Sequence, residues 1–384
     1  MNGLRIVRLA NFVTPASGGL RTALDELGRG YREAGHDPVL VVPGAEDGDR
    51  RTPAGRVITL PGPVLPGSGG YRVLLGRRRL TALLEELRPD RLEVSDRTTL
   101  RWTGAWARRA RVPAVMVSHE TAHGVLRTWG VPDRTARHAA DRLNLRSAHA
   151  FTRIVCTTEW AAREFLRTGA ANVVRAPLGV DLHRCAPGRH DPRLRARLLR
   201  GQDVLLLLCS RLSVEKRPGR ALDALAALRA HGGVRASLVV AGDGPLRTAL
   251  ERRARTERLP ALFLGHIASR DRVARLQASA DLVLAPGPAE TFGLSALESL
   301  ACGTPVVASA GSALPEVLGG AGLAAADTGE AFAAAVRELL ARPERDRRAA
   351  ARERAGLYGW DRSVTAFLAA HDVPRRDGAR EART

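Results

Sequence analysis

Lys216 is the single lysine of a chain whose 60 basic residues are otherwise all arginine. It lies in Ser210-Arg211-Leu212-Ser213-Val214-Glu215-Lys216, directly after the apolar run Val204 to Leu208. A compact ammonium and a flat guanidinium five residues apart on a strand-to-helix loop can hold a phosphate, and neither cation imitates the other. Further on, Glu290-Thr291-Phe292-Gly293-Leu294 opens a helical stretch that carries Glu298. The free N–H groups and the dipole at such a helix start favour an anion, and Gly293 lets a phosphate approach the backbone closely. Glu290 and Glu298 can accept hydrogen bonds from two vicinal diols, one on a sugar and one on a ribose. Taken singly, each residue has a plainer reading: a lysine left by drift on a solvated loop, a helix-start charge at Glu290, a helix-surface carboxylate at Glu298.

The elements that must position these residues follow from periodicity. A buried strand is expected over Leu4 to Val13, then the loop Thr14-Pro15-Ala16-Ser17-Gly18-Gly19, a helix over Leu20 to Ala34 stopped by Gly35, and a strand over Pro38 to Val42. Strand, glycine-rich turn, helix and strand make a βαβ unit. Residues 43–70 are rich in Gly and Pro and are expected to be irregular. A helix near Arg77 to Leu87, strands at Ala114 to Ser118 and Ile154 to Cys156, and a helix over Glu159 to Arg167 follow. After residue 200, strands are expected at Val204–Leu208, Ser237–Ala241, Leu262–Leu264, Leu282–Ala285 and Pro305–Ala308, with helices at Ala221–Ala230, Leu246–Arg255 and Arg272–Ala278. This alternation predicts an α/β fold of two Rossmann-like, doubly wound domains joined around Pro177 to Pro192, with ligands at the carboxyl ends of the strands. The length supports two cores.

Bulk properties narrow the class. No apolar run reaches the roughly 20 residues a membrane span requires, and Met1 to Val13 lacks the pattern of a secretory signal. Cys156, Cys185, Cys209 and Cys302 are far apart, without a CxxC pair, which argues against a disulfide framework or structural zinc and for a reduced, cytoplasmic protein. The formal net charge is +20, with 28 basic and 17 acidic residues in 1–180 and 32 and 23 in 181–384. Aromatic residues are only 4%, with no zinc-finger or RNP-like sequence, so nucleic acid is not the expected partner. An anionic membrane surface or a phosphorylated substrate is.

Glu290-x7-Glu298 followed by Ala301-Cys302-Gly303-Thr304-Pro305-Val306-Val307-Ala308 resembles the retaining glycosyltransferases of family 4, which have the GT-B fold. Gly18-Gly19, Leu178-Gly179-Val180-Asp181, Ser210-Arg211 with Lys216, Ala241-Gly242-Asp243-Gly244-Pro245-Leu246, Leu264-Gly265 and Tyr358-Gly359-Trp360-Asp361 match in order. The match is dense after residue 180 and thin over 43–110. It implies an N-terminal acceptor domain over 1–183, a nucleotide-sugar domain over 184–357, a helix over 358–372 crossing back to the first domain and a disordered tail over 373–384, with the two domains facing across a cleft. It implies that Arg211 and Lys216 neutralise the donor pyrophosphate without a metal or other cofactor, and that the backbone at Phe292, Gly293 and Leu294, with Gly18 and Gly19, completes the phosphate site. It assigns Glu290 to the transferred sugar, Glu298 to the ribose, the loop near Ile267 to the base, and His119 to the donor sugar at the reacting centre. The expected activity is hexosyl transfer with retention, resembling GDP-mannose-dependent enzymes of the phosphatidylinositol-mannosyltransferase type, with a nucleotide sugar as donor and a lipid or small molecule as acceptor.

Two departures stand out: Pro288-Ala289 precede Glu290 where many relatives carry glycine, and Leu178 stands where Asn is frequent. Asp47-Gly48-Asp49 has the spacing of a metal-binding DxD, but as a polar loop it reads as solvated charge. Two rival functions exist. His119-Glu120-Thr121-Ala122-His123 fits the HExxH pattern of zinc peptidases if helical, yet His119 closes an apolar strand and Leu126 fills the glycine position of the extended pattern. The other rival is a sugar-nucleotide binding protein without catalysis. Finally, Arg72, Arg77, Arg78 and Arg79 beside Leu80, Leu83, Leu84 and Leu87 read either as an ordinary amphipathic helix or as one that docks on anionic lipid at the inner face of the plasma membrane.

Overall fold

The computed structural model describes residues 3–13, 18–65, 70–128 and 130–373. It divides into two compact units, residues 1–179 with 360–384, and residues 180–359. The junctions expected at 183/184 and 357/358 thus lie within four residues of 179/180 and 359/360.

The first unit is built on a sheet of eight strands: β1 (Arg5–Leu9), β2 (Asp37–Gly44), β3 (Gly48–Thr52), β4 (Gly55–Pro61), β5 (Arg91–Val94), β6 (Ala114–Ser118), β7 (Arg153–Cys156) and β8 (Val173–Arg175). Their order is β3-β4-β2-β1-β5-β6-β7-β8, parallel throughout except that β3 runs antiparallel to β4. The chain leaves β1 in one direction and returns on its other side at β5, so the carboxyl ends of β1 and β5 mark the topological switch point where α/β sheets bind ligands. Val7, Leu9, Leu92, Val94, Met116 and Ile154 are buried in one core beneath this edge.

The irregular segment expected over 43–70 is corrected here, because it contains the β3–β4 hairpin. Its Gly and Pro residues serve the turn: Gly55 has φ +113°, and a Cβ there would lie 2.2 Å from the Pro38 carbonyl oxygen. Val57 faces one core and Ile58 and Leu60 another, so β4 is buried on both faces, and charged β3 covers the sheet edge. Asp49 is therefore on a strand, paired with Arg56 across the hairpin at 2.6 Å, and Asp47 is paired with Arg79.

The helix Trp360–Ala370 packs on the helix Gly19–Glu33, where Gly30 leaves the space that Val364 fills. Its end is held by Arg153 donating to the Ala369 carbonyl at 2.9 Å and Arg91 to that of His371 at 2.7 Å. The expected disordered tail, beyond residue 373, lies outside the described residues.

The second unit has a six-stranded parallel sheet: β9 (Val204–Cys209), β10 (Ala236–Ala241), β11 (Ala261–Gly265), β12 (Leu282–Ala285), β13 (Val306–Ser309) and β14 (Gly322–Ala325), in the order β11-β10-β9-β12-β13-β14. Leu206, Leu208, Leu238, Val240, Leu282 and Leu284 are buried against Leu222, Leu225, Phe332 and Val336. Here the switch point falls between β9 and β12, the strands that lead into the Lys216 and Glu290 loops.

Candidate functional site

In the second unit the strand-end loops are joined through their backbones. Leu212 N donates to the Asp243 carbonyl and Leu246 N to that of Leu212, both at 2.9 Å. A Cβ on Gly242 would stand 1.8 Å from the Ser210 carbonyl oxygen, and one on Gly244 2.6 Å from that of Leu212. The glycines of this run are thus required by two backbones in contact. Gly242 N also donates to the Gly265 carbonyl at 2.9 Å, which ties in the loop bearing half-buried Ile267.

A single 3-10 turn, Val214–Lys216, presents the lone lysine. Its Nζ donates to Glu290 Oε1 at 2.5 Å, with the two side chains 26% and 23% exposed. Gly287 makes room for this meeting, since a Cβ there would be 3.2 Å from Lys216 Cα. Ala313 N donates to the Glu290 carbonyl at 2.9 Å, which fixes the loop from the far side. Gly293 then caps the helix Leu294–Ala301 in the left-handed region, φ +79°, with no space for a side chain beside Leu314. That helix starts at a pocket lined by Cys209, Ser210, Lys216, Gly287, Glu290 and Gly293, among others, and its first N–H groups have no partner within the helix. The side chains of Phe292 and Leu294 are buried, Phe292 edge-on to Tyr358 with centroids 5.9 Å apart. Burial leaves neither side chain free to meet a ligand.

Glu298 lies one turn into this helix, partly buried, and burial pushes its carboxyl up to about 7. Arg270, Arg184 and a hydrogen bond with Gln277 oppose that rise. Arg211, half-buried, directly follows the Ser210 bend after β9. Arg217, by contrast, is paired with Asp327 and has no part in the pocket lining. Of the residues expected in this unit, Lys216 and Glu290 are in direct contact. Arg211, Ile267 and Glu298 lie on the adjoining loops and the next helical turn.

In the first unit, Gly18 caps the helix Gly19–Glu33. A Cβ on Gly18 would meet nothing within 4 Å, so packing among the described residues does not demand a glycine there. His119 follows β6, and its Nε2 lies 3.2 Å from Ser95 Oγ, at the end of β5. Burial lowers its pKa to about 4, Arg8 and Arg97 acting in the same sense and Glu93 against them, so the ring is neutral at pH 7. Sequence reasoning missed Arg97 and the buried group around Glu93. Glu93 accepts from Arg8 Nε and Tyr31 Oη, each at 2.8 Å, and meets His371 Nε2 at 3.2 Å. Burial alone would raise Glu93, but Arg8 and His371 hold its carboxyl well below the usual carboxylate range.

The zinc-peptidase pattern does not form. His119 lies outside the helix Ala122–Thr128, and His123 Nε2 faces Asp133 at 3.0 Å. Among the described residues no group of three or more His, Cys, Asp or Glu could hold a metal ion. The basic helix Arg77–Leu87 buries Leu80, Leu84 and Leu87. Of its arginines, Arg79 pairs with Asp47 and Arg77 stacks 5.7 Å over Trp102. Arg72, before the helix, donates to the Gly62 carbonyl at 2.6 Å. Arg77 and Arg78 stay exposed beside Leu75. Among the described residues no helix is long and apolar enough to cross a membrane.

Two doubly wound sheets, with a cation–carboxylate pair and a helix start at the switch point of the second, define a glycosyltransferase of GT-B type, and the chain belongs to glycosyltransferase family 4. Residues 17–184 match the family described as Glycosyltransferase Family 4, and residues 203–342 match Glycosyl transferases group 1. One relative is the GDP-mannose-dependent alpha-(1-6)-phosphatidylinositol dimannoside mannosyltransferase of Mycobacterium tuberculosis, 50% identical over 368 residues and 95% of both chains. The D-inositol 3-phosphate glycosyltransferase of Geodermatophilus obscurus is 32% identical over 71% of this chain and 64% of its own length. Among solved structures, the fold resembles Anabaena HepE in complex with UDP and glucose, with TM-score 0.73, 19% identity, and 95% and 99% of the two chains covered. It also resembles the sucrose-phosphate synthase of Thermosynechococcus elongatus, with TM-score 0.75, 20% identity, and 96% and 98% covered.

Proposed function

We propose that the chain transfers mannose from GDP-mannose, with retention and without a metal, to a mannosylated phosphoinositide or a chemically similar lipid or small molecule. The observation that carries this reading is the Lys216–Glu290 pair at the switch point of the second unit, beside an open helix start. A diphosphate offers Lys216 a stronger partner than one carboxylate, and its arrival frees Glu290 for the sugar hydroxyls. Arg211 and Lys216 then stabilise the charge that grows on the departing diphosphate. The backbone at Gly293 and Leu294 binds the phosphates, Glu298 the ribose, and the Ile267 loop the base. The bond between the anomeric carbon and the phosphate oxygen breaks, the acceptor oxygen bonds to the same face, and the acceptor proton passes to the departing phosphate. Neutral His119 contacts the transferred sugar. Likeness to the mycobacterial relative supports a mannosyl-lipid acceptor, and the exposed Arg77, Arg78 and Leu75 support a peripheral position on anionic lipid.

The test is a thermal-shift panel of nucleotides and nucleotide sugars, followed by transfer assays with chelator present. GDP and GDP-mannose are expected to raise the midpoint most, and transfer to a phosphoinositide dimannoside to proceed unchanged in EDTA. Stabilisation by no nucleotide overturns the reading.

A further inference from the structure

The loop that carries His119 is gripped from inside by an arginine to which the reaction above gives no role. Arg97 follows β5 in Ser95-Asp96-Arg97 and is 8% exposed. Its Nη2 donates to Ser118 Oγ and to the Glu120 carbonyl, which belong to the two residues flanking His119. Its Nη1 donates to Asn144 Oδ1 at 2.7 Å, and Phe165 lies 5.0 Å beneath the guanidinium. The counter-ion, Glu164 at 3.6 Å, extends the grip along the chain. It accepts from Ala122 N and His123 N, each at 2.9 Å. Ser95, two residues before Arg97, meets His119 itself. One planar fork thus ties the segment after β5 to the chain on both sides of the imidazole, a geometry that a lysine cannot reproduce in full.

We infer that Arg97 is a positioning residue for His119, fixing the orientation of the imidazole and placing a permanent positive charge beside it. The inference rests on the reading of His119 given above. Among the described residues, the charged and hydrogen-bonding groups around His119 include Arg8 of β1, Glu93 of β5, Ser95 and Arg97 of the following segment, and Glu120 on its own loop. Arg8 and Arg97 act with burial to depress its titration, and Glu93 opposes them. Loss of Arg97 removes one of the two cations and the clamp together.

The experiment compares the full-length wild type with Arg97→Lys and with the double variant Arg97→Met/Glu164→Gln, which leaves no unpaired buried charge. Proton NMR follows the His119 ring titration, assigned with His119→Asn, while kcat and the donor KM are measured across pH. In the double variant the titration is expected to move from about 4 toward the ordinary 6.5. Its kcat is expected to fall about 10²-fold, the scale of a misplaced catalytic group, with donor KM unchanged. Arg97→Lys, which keeps the charge and part of the clamp, is expected to retain the low titration and recover part of the rate. An unmoved titration with unchanged kcat, in whichever variant folds, overturns the inference and leaves Arg97 as packing. A wild type that transfers no sugar overturns the functional reading instead, and the titration still decides the place of Arg97.

Discussion

The two units hold charged side chains at the carboxyl edge of a parallel sheet by different means. In the second, backbone touches backbone: Gly242 lies against Ser210, Gly244 against Leu212, and Gly287 beneath Lys216, while Gly293 turns the chain into its helix. At that pocket Lys216 donates to Glu290 and Ser295 Oγ to the Cys209 carbonyl. In the first, side chains support side chains. Arg8, Tyr31 and His371 surround Glu93, and Arg97 joins Ser118, Glu120, Asn144 and Glu164. A backbone-shaped site tolerates few residue types at its close approaches, whereas a buried charge network depends on every member keeping its partner.

The largest test of this contrast is Lys216→Arg. If the second site is shaped by backbone around one compact ammonium, a guanidinium of equal charge will not fit the space above Gly287 or the contact with Glu290. Steady-state kinetics are expected to show kcat/KM reduced by about 10²-fold, the usual cost of losing one well-placed electrostatic contact, with an almost unchanged melting temperature. Wild-type activity in Lys216→Arg would mean that charge alone matters there.

The same contrast explains what could be read in advance. The glycine-bearing runs of the second unit are contiguous, so close approach leaves a local pattern, and the apolar runs of β9, β10 and β12 stand directly before these loops. Arg8, Glu93, Arg97, Asn144, Glu164 and His371 are spread over more than 360 positions and carry no common spacing. Glu93 even hides its strand, since a charged residue in a four-residue run does not look buried. The arginine excess is likewise partly structural. Arg352 donates to the carbonyls of Cys185 and Ala301 at 2.8 Å, and Arg354 to those of Glu316 and Val317 at 2.7 and 2.9 Å. Such arginines cap helix ends with several donors each, so part of the net charge of +20 is internal architecture and does not announce an anionic partner.

Glu298 offers a smaller effect that sharpens the comparison through pH. Its folded-state pKa, about 7, stands above the ordinary 4.5 because burial penalises the charged form. Between those values the folded chain binds more protons than the unfolded chain at this position. The contribution of Glu298 to stability is therefore complete below pH 4.5, declines as pH rises to 7 and is level above it. Chemical denaturation at pH 8 is expected to find Glu298→Gln at least as stable as wild type, with the order reversed near pH 5. Nucleotide affinity should run the other way, rising roughly tenfold through pH 7 as the carboxylate forms to accept the ribose hydroxyls. A flat affinity profile would remove Glu298 from the ribose.

Arg217→Lys is the smallest of these changes and the control for the largest. Arg217 adjoins Lys216 and holds φ at +46°, a strained value for any residue with a Cβ, so lysine inherits the strain unchanged. Its guanidinium is 47% exposed and pairs with Asp327, which Arg220 also holds at 3.0 Å. Exposed pairs of this kind contribute about 0–1 kcal/mol, and Arg220 preserves the partner. Rate within about twofold of wild type and a midpoint shift of roughly 1–2 °C are expected. If Arg217→Lys lost as much rate as Lys216→Arg, the sensitive object would be the 3-10 turn as a whole. A silent Arg217→Lys beside a crippled Lys216→Arg places the requirement on one ammonium in one backbone-shaped space.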